Sequence, residues 1–399
     1  RTSYPCAVMR SIYAACLGLL LLAAIGRGQP TISYVIPDIG AEGLNTYVEI
    51  IGPADNPGNF GADGLYLNLP GDAVRVEPGS TDAGKILVGP VVVSWNGRLI
   101  STQIFVKPGV KYRGPVSLAV TVNGQSVTDR SFTIVDPQNL GTNGVLSGGG
   151  ALGSGGQLGL RSPRGAMIVD SLILRGGNFT VSTNDPDGNA ANGNQGYLPF
   201  ILISRGPIVI DGSTVLHVNA NGSNGAAGGG GGGGDVCNGS AGSTGGSGYT
   251  VGGAGGRRSG AYAADGESSG PAGGSLNGAG GGGDGRPTCT DPTSAGGGTG
   301  HPFGSGGSGY CAGNVTPGNG GAAGNAPGGG GGGGGYTDNG KDGSASTFIT
   351  GGRAHGNIEG VPVAGGSGGA GGNSTNSNEC GGGGGGGGGA IVLYSMERL

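Results

Sequence analysis

Charged residues are scarce in this 399-residue chain. Asp, Glu, Lys and Arg make up only 11% of it, and the formal net charge is −4. Nucleic-acid-binding proteins gather Lys and Arg on one surface, so this composition argues against a nucleic-acid partner. Hydrophobic residues are also few, at 34%. One continuous apolar core therefore cannot extend through the whole chain.

The chain also lacks the patterns of helical proteins and of common enzymes. No stretch repeats apolar residues with the period of a helix, so an all-β protein is predicted. There is no nucleophilic serine elbow, no H-E-x-x-H zinc motif and no reactive-cysteine context. The three histidines, His217, His301 and His355, are far apart in the sequence. We therefore expect no enzymatic activity, no cofactor and no metal site.

An apolar segment near the N-terminus has the pattern of a secretory leader. Arg10 follows Met9 and precedes a short apolar run over residues 12–25, after which small residues offer cleavage positions. This pattern predicts a signal peptide within residues 1–28, and an uncleaved anchor is the alternative. The mature chain is then expected to be secreted, extracellular or on the cell surface, with no membrane span after cleavage.

Four cysteines remain once the leader is set aside, and all lie in the glycine-rich part of the chain: Cys237, Cys289, Cys311 and Cys380. An even number of cysteines in an oxidising compartment predicts two disulfides, with three possible pairings. A zinc site would favour closely spaced pairs. The gaps of 52, 22 and 69 residues favour disulfides instead.

Residues 29–137 consist of short apolar or alternating runs separated by turn residues, which is typical of an immunoglobulin-like β-sandwich. Asn123-Gly124 predicts a tight hairpin turn, and Trp95 is expected in the core. The start of this region resembles the IPT/TIG family. The resemblance rests on Pro30, Ile32, Val35, Pro37, Gly40, Gly43, Val48, Ile50, Gly52 and the segment NPGNF at 56–60. It departs from the family by extra residues around LNTY and PADNPG, and it implies an extracellular spacer or binding module without catalysis.

A second β region follows a stretch rich in Gly, Ser and Leu. Residues 138–164 are predicted to be a linker, and residues 165–220 together with 390–399 a small β module. Asp211-Gly212 joins two short strands with no room for a helix, which favours a β-solenoid rung or a meander. The run AIVLYS at 390–395 has the composition of one more strand of the same sheet.

The intervening residues 221–389 hold 71 of the 105 glycines. Such sequence is commonly disordered, because it cannot bury enough apolar surface to offset the entropy of ordering. This stretch, however, leaves one predicted strand and returns to another, and it carries the four cysteines. We therefore expect an insertion anchored at both ends, with a flexible tether as the alternative.

Three all-glycine runs, 228–234, 328–335 and 381–389, have similar lengths. Extended glycine helices with three residues per turn can pack side by side only where no Cβ separates them. The runs therefore predict the interior helices of a polyglycine-II-type bundle. The block resembles the glycine-rich phage tail-fibre adhesins and the glycine-rich antifreeze type. These likenesses imply receptor-binding loops in the first case and a flat ice-binding face in the second.

Large side chains isolated among the glycines are the candidate ligand-binding residues, because a bundle without an apolar core must place them at loops or edges. They are Tyr249, Arg257, Arg258, Tyr262, Phe303, Tyr310, Tyr336, Phe348 and Arg353. The alternative is that they only cover the ends of the bundle. The expected function is adhesion or structural assembly, with a cell-surface or extracellular-matrix ligand or self-association. Ice binding and a passive tether are the alternatives.

Overall fold

The computed structural model describes residues 29–53, 56–138, 144–153, 166–182, 199–219 and 389–396, and the isolated positions 229, 237–238, 257–258, 299–300, 304–305 and 365. These residues form strands, turns and extended segments, and no α-helix occurs among them. The described chain is all-β, as its sequence predicts.

Twelve strands make up the N-terminal module. In chain order they are β1 (Tyr34–Ile36), β2 (Ile39–Gly40), β3 (Asn45–Ile51), β4 (Gly64–Tyr66), β5 (Val74–Pro78), β6 (Ile86–Val88), β7 (Val91–Ser94), β8 (Leu99–Val106), β9 (Gly114–Pro115), β10 (Leu118–Val122), β11 (Gln125–Asp129) and β12 (Thr133–Ile134). The largest sheet has the order β1-β3-β8-β7-β4, with β6 also paired to β8. Two three-stranded sheets, β11-β10-β5 and β2-β12-β9, complete the module.

The core of this module follows from the alternation of its strands. Val48 and Ile50 on β3 point to the same side and are fully buried, since successive side chains of a strand face opposite ways. They belong to one apolar cluster with Ile100 of β8, Val76 of β5 and Val120 of β10. The cluster thus joins the large sheet to the β11-β10-β5 sheet.

The predicted hairpin at Asn123-Gly124 is confirmed. Strands β10 and β11 pair antiparallel with Val122 opposite Gln125, which leaves two residues for the turn. Both turn residues have positive φ, 48° at Asn123 and 84° at Gly124. Asn and Gly tolerate this region best, so the two-residue turn matches the twist of the strands.

The second module, hereafter the three-sheet module, consists of nine strands. They are β13 (Val145–Ser147), β14 (Gly150–Gly153), β15 (Ala166–Val169), β16 (Leu172–Arg175), β17 (Gly177–Ser182), β18 (Phe200–Ser204), β19 (Ile208–Ile210), β20 (Thr214–His217) and, after four two-residue strands, β25 (Ile391–Ser395). Those four are β21 (Cys237–Asn238), β22 (Arg257–Arg258), β23 (Thr299–Gly300) and β24 (Gly304–Ser305).

The nine strands form three sheets of three parallel strands each. Sheet I is β13-β16-β19, sheet II is β14-β17-β20, and sheet III is β15-β18-β25. The chain visits the sheets in the order I, II, III and repeats that order twice, so each passage forms one coil stacked on the previous one. The strand predicted at 390–395 is present as β25, and it completes the third coil by pairing with β18.

Inward-facing residues of adjacent coils stack on one another and form the core of this module. Leu174, Phe179 and Leu202 of the second coil are at most 2% exposed and belong to one cluster. The corners between sheets I and II in the first two coils require glycine. At Gly177 φ is +85°, and a Cβ there would lie 2.7 Å from the backbone carbon of Gly148.

The first coil differs from the sequence-based expectation. Residues 138–164 were expected to be a linker, yet β13 and β14 lie within this range and pair with β16 and β17. The sequence of β14, Gly-Ala-Leu-Gly, has low strand propensity, so its extended form depends on the hydrogen bonds to β17. The domain boundaries proposed from the sequence otherwise stay a prediction.

The two modules pack through the outer faces of two sheets. Tyr34 and Ile51 face outward from the large N-terminal sheet, and Ile168, Ile201 and Ile203 face outward from sheet III. All five are at most 2% exposed and form one apolar cluster. Trp95, expected in the core of its own module, is half-buried and packs against this intermodule cluster instead.

Candidate functional site: one corner of the three-sheet module

One corner of the three-sheet module carries all of its long connections. The passages from sheet I to sheet II take residues 148–149, 176 and 211–213, and those from sheet III to sheet I take 170–171 and 205–207. The passages from sheet II to sheet III are far longer, at 154–165, 183–199 and 218–390. Because the coils stack in register, these three connections leave the module side by side. The third contains the glycine-rich block.

The two ends of the glycine-rich insertion meet at this corner. The N–H of Gly389 donates a hydrogen bond of 3.3 Å to the carbonyl of Val218, and the N–H of Phe200 donates one of 3.1 Å to the carbonyl of Ala390. The chain that leaves after β20 thus returns within one hydrogen bond of its exit. Residues 219–388 form an excursion closed at its base.

The corner between sheets I and II in the third coil is held by local polar contacts. At the third coil the Asp211 carboxylate accepts hydrogen bonds from the backbone N–H and the hydroxyl of Ser213, both 3.0 Å. These two hydrogen bonds lower the pKa of Asp211. Asp211 also donates its N–H to the carbonyl of Leu174, 2.9 Å away on the coil below. The turn predicted at Asp211-Gly212 is therefore present, and it joins strands of two different sheets.

Most of the ligand-binding candidates fall outside the described residues. These are Tyr249, Tyr262, Phe303, Tyr310, Tyr336, Phe348 and Arg353, together with three of the four disulfide candidates, Cys289, Cys311 and Cys380. Their proposed roles stay predictions.

The remaining disulfide candidate, Cys237, lies next to two of the ligand-binding candidates. Arg257 and Arg258 form β22, which pairs in parallel with β21, so that Cys237 lies opposite Arg257 and Asn238 opposite Arg258. The pairing joins positions that are twenty residues apart in the sequence. No sequence signal predicted this contact, because glycine-rich flanks give no alternating pattern from which a strand register could be read.

The described residues contain no group of three or more His, Cys, Asp or Glu side chains that could hold a metal ion. His217, the one histidine among them, lies on β20 opposite Thr180 of β17 and is half-buried. His301 and His355 are outside the described residues.

A polar cluster that no sequence pattern indicates lies between the modules. Glu49 of β3 is fully buried, and the rings of Tyr47 and Tyr394 lie 6.4 Å apart beside it. Burial and, to a smaller extent, the negative charge of Glu49 raise the pKa of Tyr47. The Ser101 hydroxyl has a smaller effect in the opposite direction. Burial, Glu49 and Tyr47 likewise raise the pKa of Tyr394. Both phenols therefore stay neutral under ordinary conditions.

A second buried carboxylate orders a loop of the N-terminal module. Asp82 is 3% exposed, accepts a 2.6 Å hydrogen bond from Lys85 Nζ and accepts another of 2.8 Å from the backbone N–H of Ser117. Burial alone would raise the pKa of Asp82, but these hydrogen bonds and the charge of Lys85 outweigh burial and lower it. The Lys85 ammonium also lies 3.8 Å from the ring centroid of Tyr112, a cation–π geometry.

No protein-family model, no curated protein and no solved structure matches this chain. In the part of the chain that the structure describes, no helix is long and apolar enough to cross a membrane.

Proposed function

We propose that this chain is a secreted or cell-surface protein without enzymatic activity, whose β modules present the glycine-rich insertion for adhesion or structural assembly. One observation carries the proposal: the closure of residues 219–388 by the hydrogen bond between Gly389 and Val218. A closed base makes the insertion a displayed element of the three-sheet module. A terminal tail would have only one attachment.

We further propose that the two modules that present the insertion have two known β architectures. The N-terminal module is interpreted as an immunoglobulin-like sandwich, because its large sheet and the β11-β10-β5 sheet share one buried cluster. The three-sheet module is interpreted as a short β-solenoid of three coils, because its strands are parallel and recur in the order I, II, III. The apolar contact of Tyr34 and Ile51 with Ile201 and Ile203 would hold the two in a fixed orientation.

The insertion itself is proposed to be an ordered polyglycine-II-type bundle linked by the four cysteines. Gly229, within the first all-glycine run, and Gly365 are both buried, which supports packing of backbone against its surroundings. Glycine helices can approach closely because no Cβ intrudes. The isolated Tyr, Phe and Arg side chains would then lie at loops and edges, where they could contact a cell-surface or matrix ligand.

Two measurements on the full chain test this proposal. Surface binding of the labelled protein to cells and to matrix proteins should fall at least tenfold when Tyr249, Tyr262 and Tyr310 are replaced together by serine. A Gly385→Ala variant should lose protease resistance of the insertion, because its methyl group would separate packed backbones. A Ser247→Ala variant, in a mixed stretch, is the matched control. An insertion equally digestible in all three proteins would instead indicate the flexible tether.

Ice binding remains testable but has less support. The outward column Ala151, Thr180 and His217 of sheet II mixes three unlike side chains, and the column Val145, Ile173 and Val209 of sheet I has no threonine. Neither described column repeats one small hydroxylated residue. Thermal hysteresis of the purified protein would overturn the adhesive proposal, and its absence would remove ice binding.

A further inference from the structure

The third coil leaves the core of the three-sheet module open at one end. Leu174 and Ile210 are register partners in sheet I and face the same interior. Leu174, in the second coil, is 1% exposed, whereas Ile210, in the third, is 42% exposed. The neighbouring Val209 is 39% exposed because it faces outward. Ile210 is exposed for a different reason: the described structure places nothing above it.

Sheets II and III show the same gradient. Phe179 is fully buried, while its partner Leu216 in the third coil is only half-buried. Leu202 is 2% exposed, while its partner Leu393 is half-buried. In all three sheets the third coil thus exposes part of its interior at the same end, while Ile208, which also faces inward from β19, stays buried at 2% exposed.

The backbone edges at this end are the outer edges of the described sheets. Within the described part of the chain, β19, β20 and β25 are the outermost strands of sheets I, II and III. An outermost strand presents N–H and C=O groups that can pair with a further strand. At the opposite end, by contrast, Gln138 donates its N–H to the carbonyl of Ile168 and continues the sheet toward the N-terminal module.

We propose that this open end, formed by β19, β20 and β25 with Ile210, Leu216 and Leu393 at its centre, is the docking surface of the glycine-rich insertion, residues 219–388. The insertion begins directly after β20 and ends directly before β25, so two of the three edge strands are its own anchors. Docking is a further step beyond the proposed function, because an insertion that is presented for adhesion can be ordered and still project away from the module.

The chemistry of the insertion fits such a surface. A glycine strand brings N–H and C=O groups to the open edges without side chains that would collide with the outward-facing Val209 and Val215. Gly229 lies eleven residues beyond the exit at Val218 and is buried. Gly365, on the returning side, is buried too. Burial at both positions means that other parts of the chain cover them, as an insertion that turns back over the module requires.

A second copy of the chain is the competing occupant of the open end. The covalent attachment of the insertion disfavours a second copy as the occupant. Because the insertion is anchored at Val218 and Gly389, it meets this surface at a local concentration in the millimolar range. A second chain must bind from solution. The two occupants therefore differ in how coverage depends on protein concentration.

Amide exchange of the unmodified full chain, resolved to single residues by NMR, tests the coverage. The N–H groups of β19, β20 and β25 that do not bond to the second coil should exchange at least a hundredfold more slowly than in free peptides. The protection should be equal at 20 and 400 μM protein. Free-peptide rates at these positions would overturn the proposal. Protection that rises with concentration would assign the surface to a second copy and overturn it as well.

A matched pair of variants tests whether the insertion is the occupant. Ile210→Asp places a carboxylate at the open end, whereas Val209→Asp places one on the outer face of the same strand at similar exposure. Trypsin cleavage within the insertion is followed by mass spectrometry at Arg257, Arg258, Lys341 and Arg353. Ile210→Asp should accelerate cleavage at least tenfold and Val209→Asp less than twofold. Equal rates in the two variants would overturn the proposal, and neither readout depends on ligand binding.

Discussion

The rings of Tyr47 and Tyr394 meet across the contact between the two modules, with their centroids 6.4 Å apart and their planes tilted by 40°. Tyr47 belongs to the third strand of the chain and Tyr394 to the last, after the whole glycine-rich insertion. β25 therefore has two roles: one face completes the third coil, and the other packs on the N-terminal module. The strand to which the insertion returns therefore also contributes to the contact between the modules.

Removing the Tyr394 ring should therefore weaken the whole described structure. Tyr394 packs against the intermodule cluster, and truncating a fully buried aromatic side chain costs about 3–5 kcal/mol. Because Tyr394 is only half-buried, we expect Tyr394→Ala to lower the free energy of unfolding by about 2 kcal/mol. Urea titration followed by circular dichroism measures it. Met396→Ala, at a site 48% exposed, should change it by less than about 0.5 kcal/mol.

The same tyrosine pair predicts sensitivity to alkaline pH. Burial and Glu49 raise the folded-state pKa of both phenols, whereas in the unfolded chain each ionises near pH 10. Their stabilising contribution is complete below about pH 10. Above it the unfolded state releases protons that the folded state retains, so stability falls by up to about 1.4 kcal/mol per pH unit for each tyrosine.

A double variant, Tyr47→Phe with Tyr394→Phe, checks this pH dependence. Phenylalanine keeps the rings but cannot ionise, so stability should fall less steeply between pH 9.5 and 11 than in the unmodified chain. Urea midpoints at four pH values in that interval give the two slopes. Identical slopes would show that neither phenol titrates with a raised pKa.

Sequence patterns identified the locally encoded parts of this fold. The hairpin at Asn123-Gly124 was predictable because both residues favour the positive φ that a two-residue turn needs. The strand at 390–395 was predictable from its run of β-branched and apolar residues. In both cases the determining residues are adjacent in the chain.

Features that depend on stacking distant segments were not predictable. β14 has two glycines in four residues, and only its register with β17 makes it a strand. The alternation of Tyr47, Glu49 and Ile51 indicates a strand with one partly polar face, but it does not indicate that sheet III covers that face. The shared corner of the three long connections emerges only when the three coils are aligned.

Asp82 should stabilise the N-terminal module at neutral pH. Its side chain is buried, and its carboxylate accepts hydrogen bonds from Lys85 Nζ and from the Ser117 N–H. Because the partner Lys85 is partly exposed, we expect Asp82→Asn to cost about 2 kcal/mol, less than the loss of a fully buried ion pair. Asp136→Asn is the control: it breaks the 2.6 Å ion pair with Arg113 at a carboxylate 70% exposed and should cost less than about 1 kcal/mol.

The contribution of Asp82 should also depend on pH. Its folded-state pKa is lowered, so the stabilisation is present above the unfolded-state value near 3.9 and is lost as pH falls below it. The difference in unfolding free energy between Asp82→Asn and the unmodified chain should therefore shrink from pH 6 to pH 3. Guanidinium titrations at each pH measure the difference. A constant difference would mean that Asp82 acts through shape and hydrogen bonding alone.

Two glycines at the same corner of successive coils test whether stacking dictates the sequence there. Gly177 has φ +85°, and a Cβ would lie 2.7 Å from the backbone of Gly148. Gly212, at the equivalent corner of the third coil, has no atom within 4 Å of a Cβ and no positive φ. The difference follows from position: Gly177 stacks directly against the corner of the first coil.

Gly177→Ala should therefore destabilise the three-sheet module by about 3 kcal/mol, from backbone strain and from displacement of the first coil. Gly212→Ala should change stability by less than about 0.5 kcal/mol, or raise it slightly by restricting the unfolded chain. Thermal unfolding of the two variants, followed by circular dichroism, measures both effects. Equal melting temperatures would mean that the corners are not stacked as closely as described. A loss confined to Gly177→Ala would support close stacking at this corner and, with it, the alignment that brings the three long connections to one side.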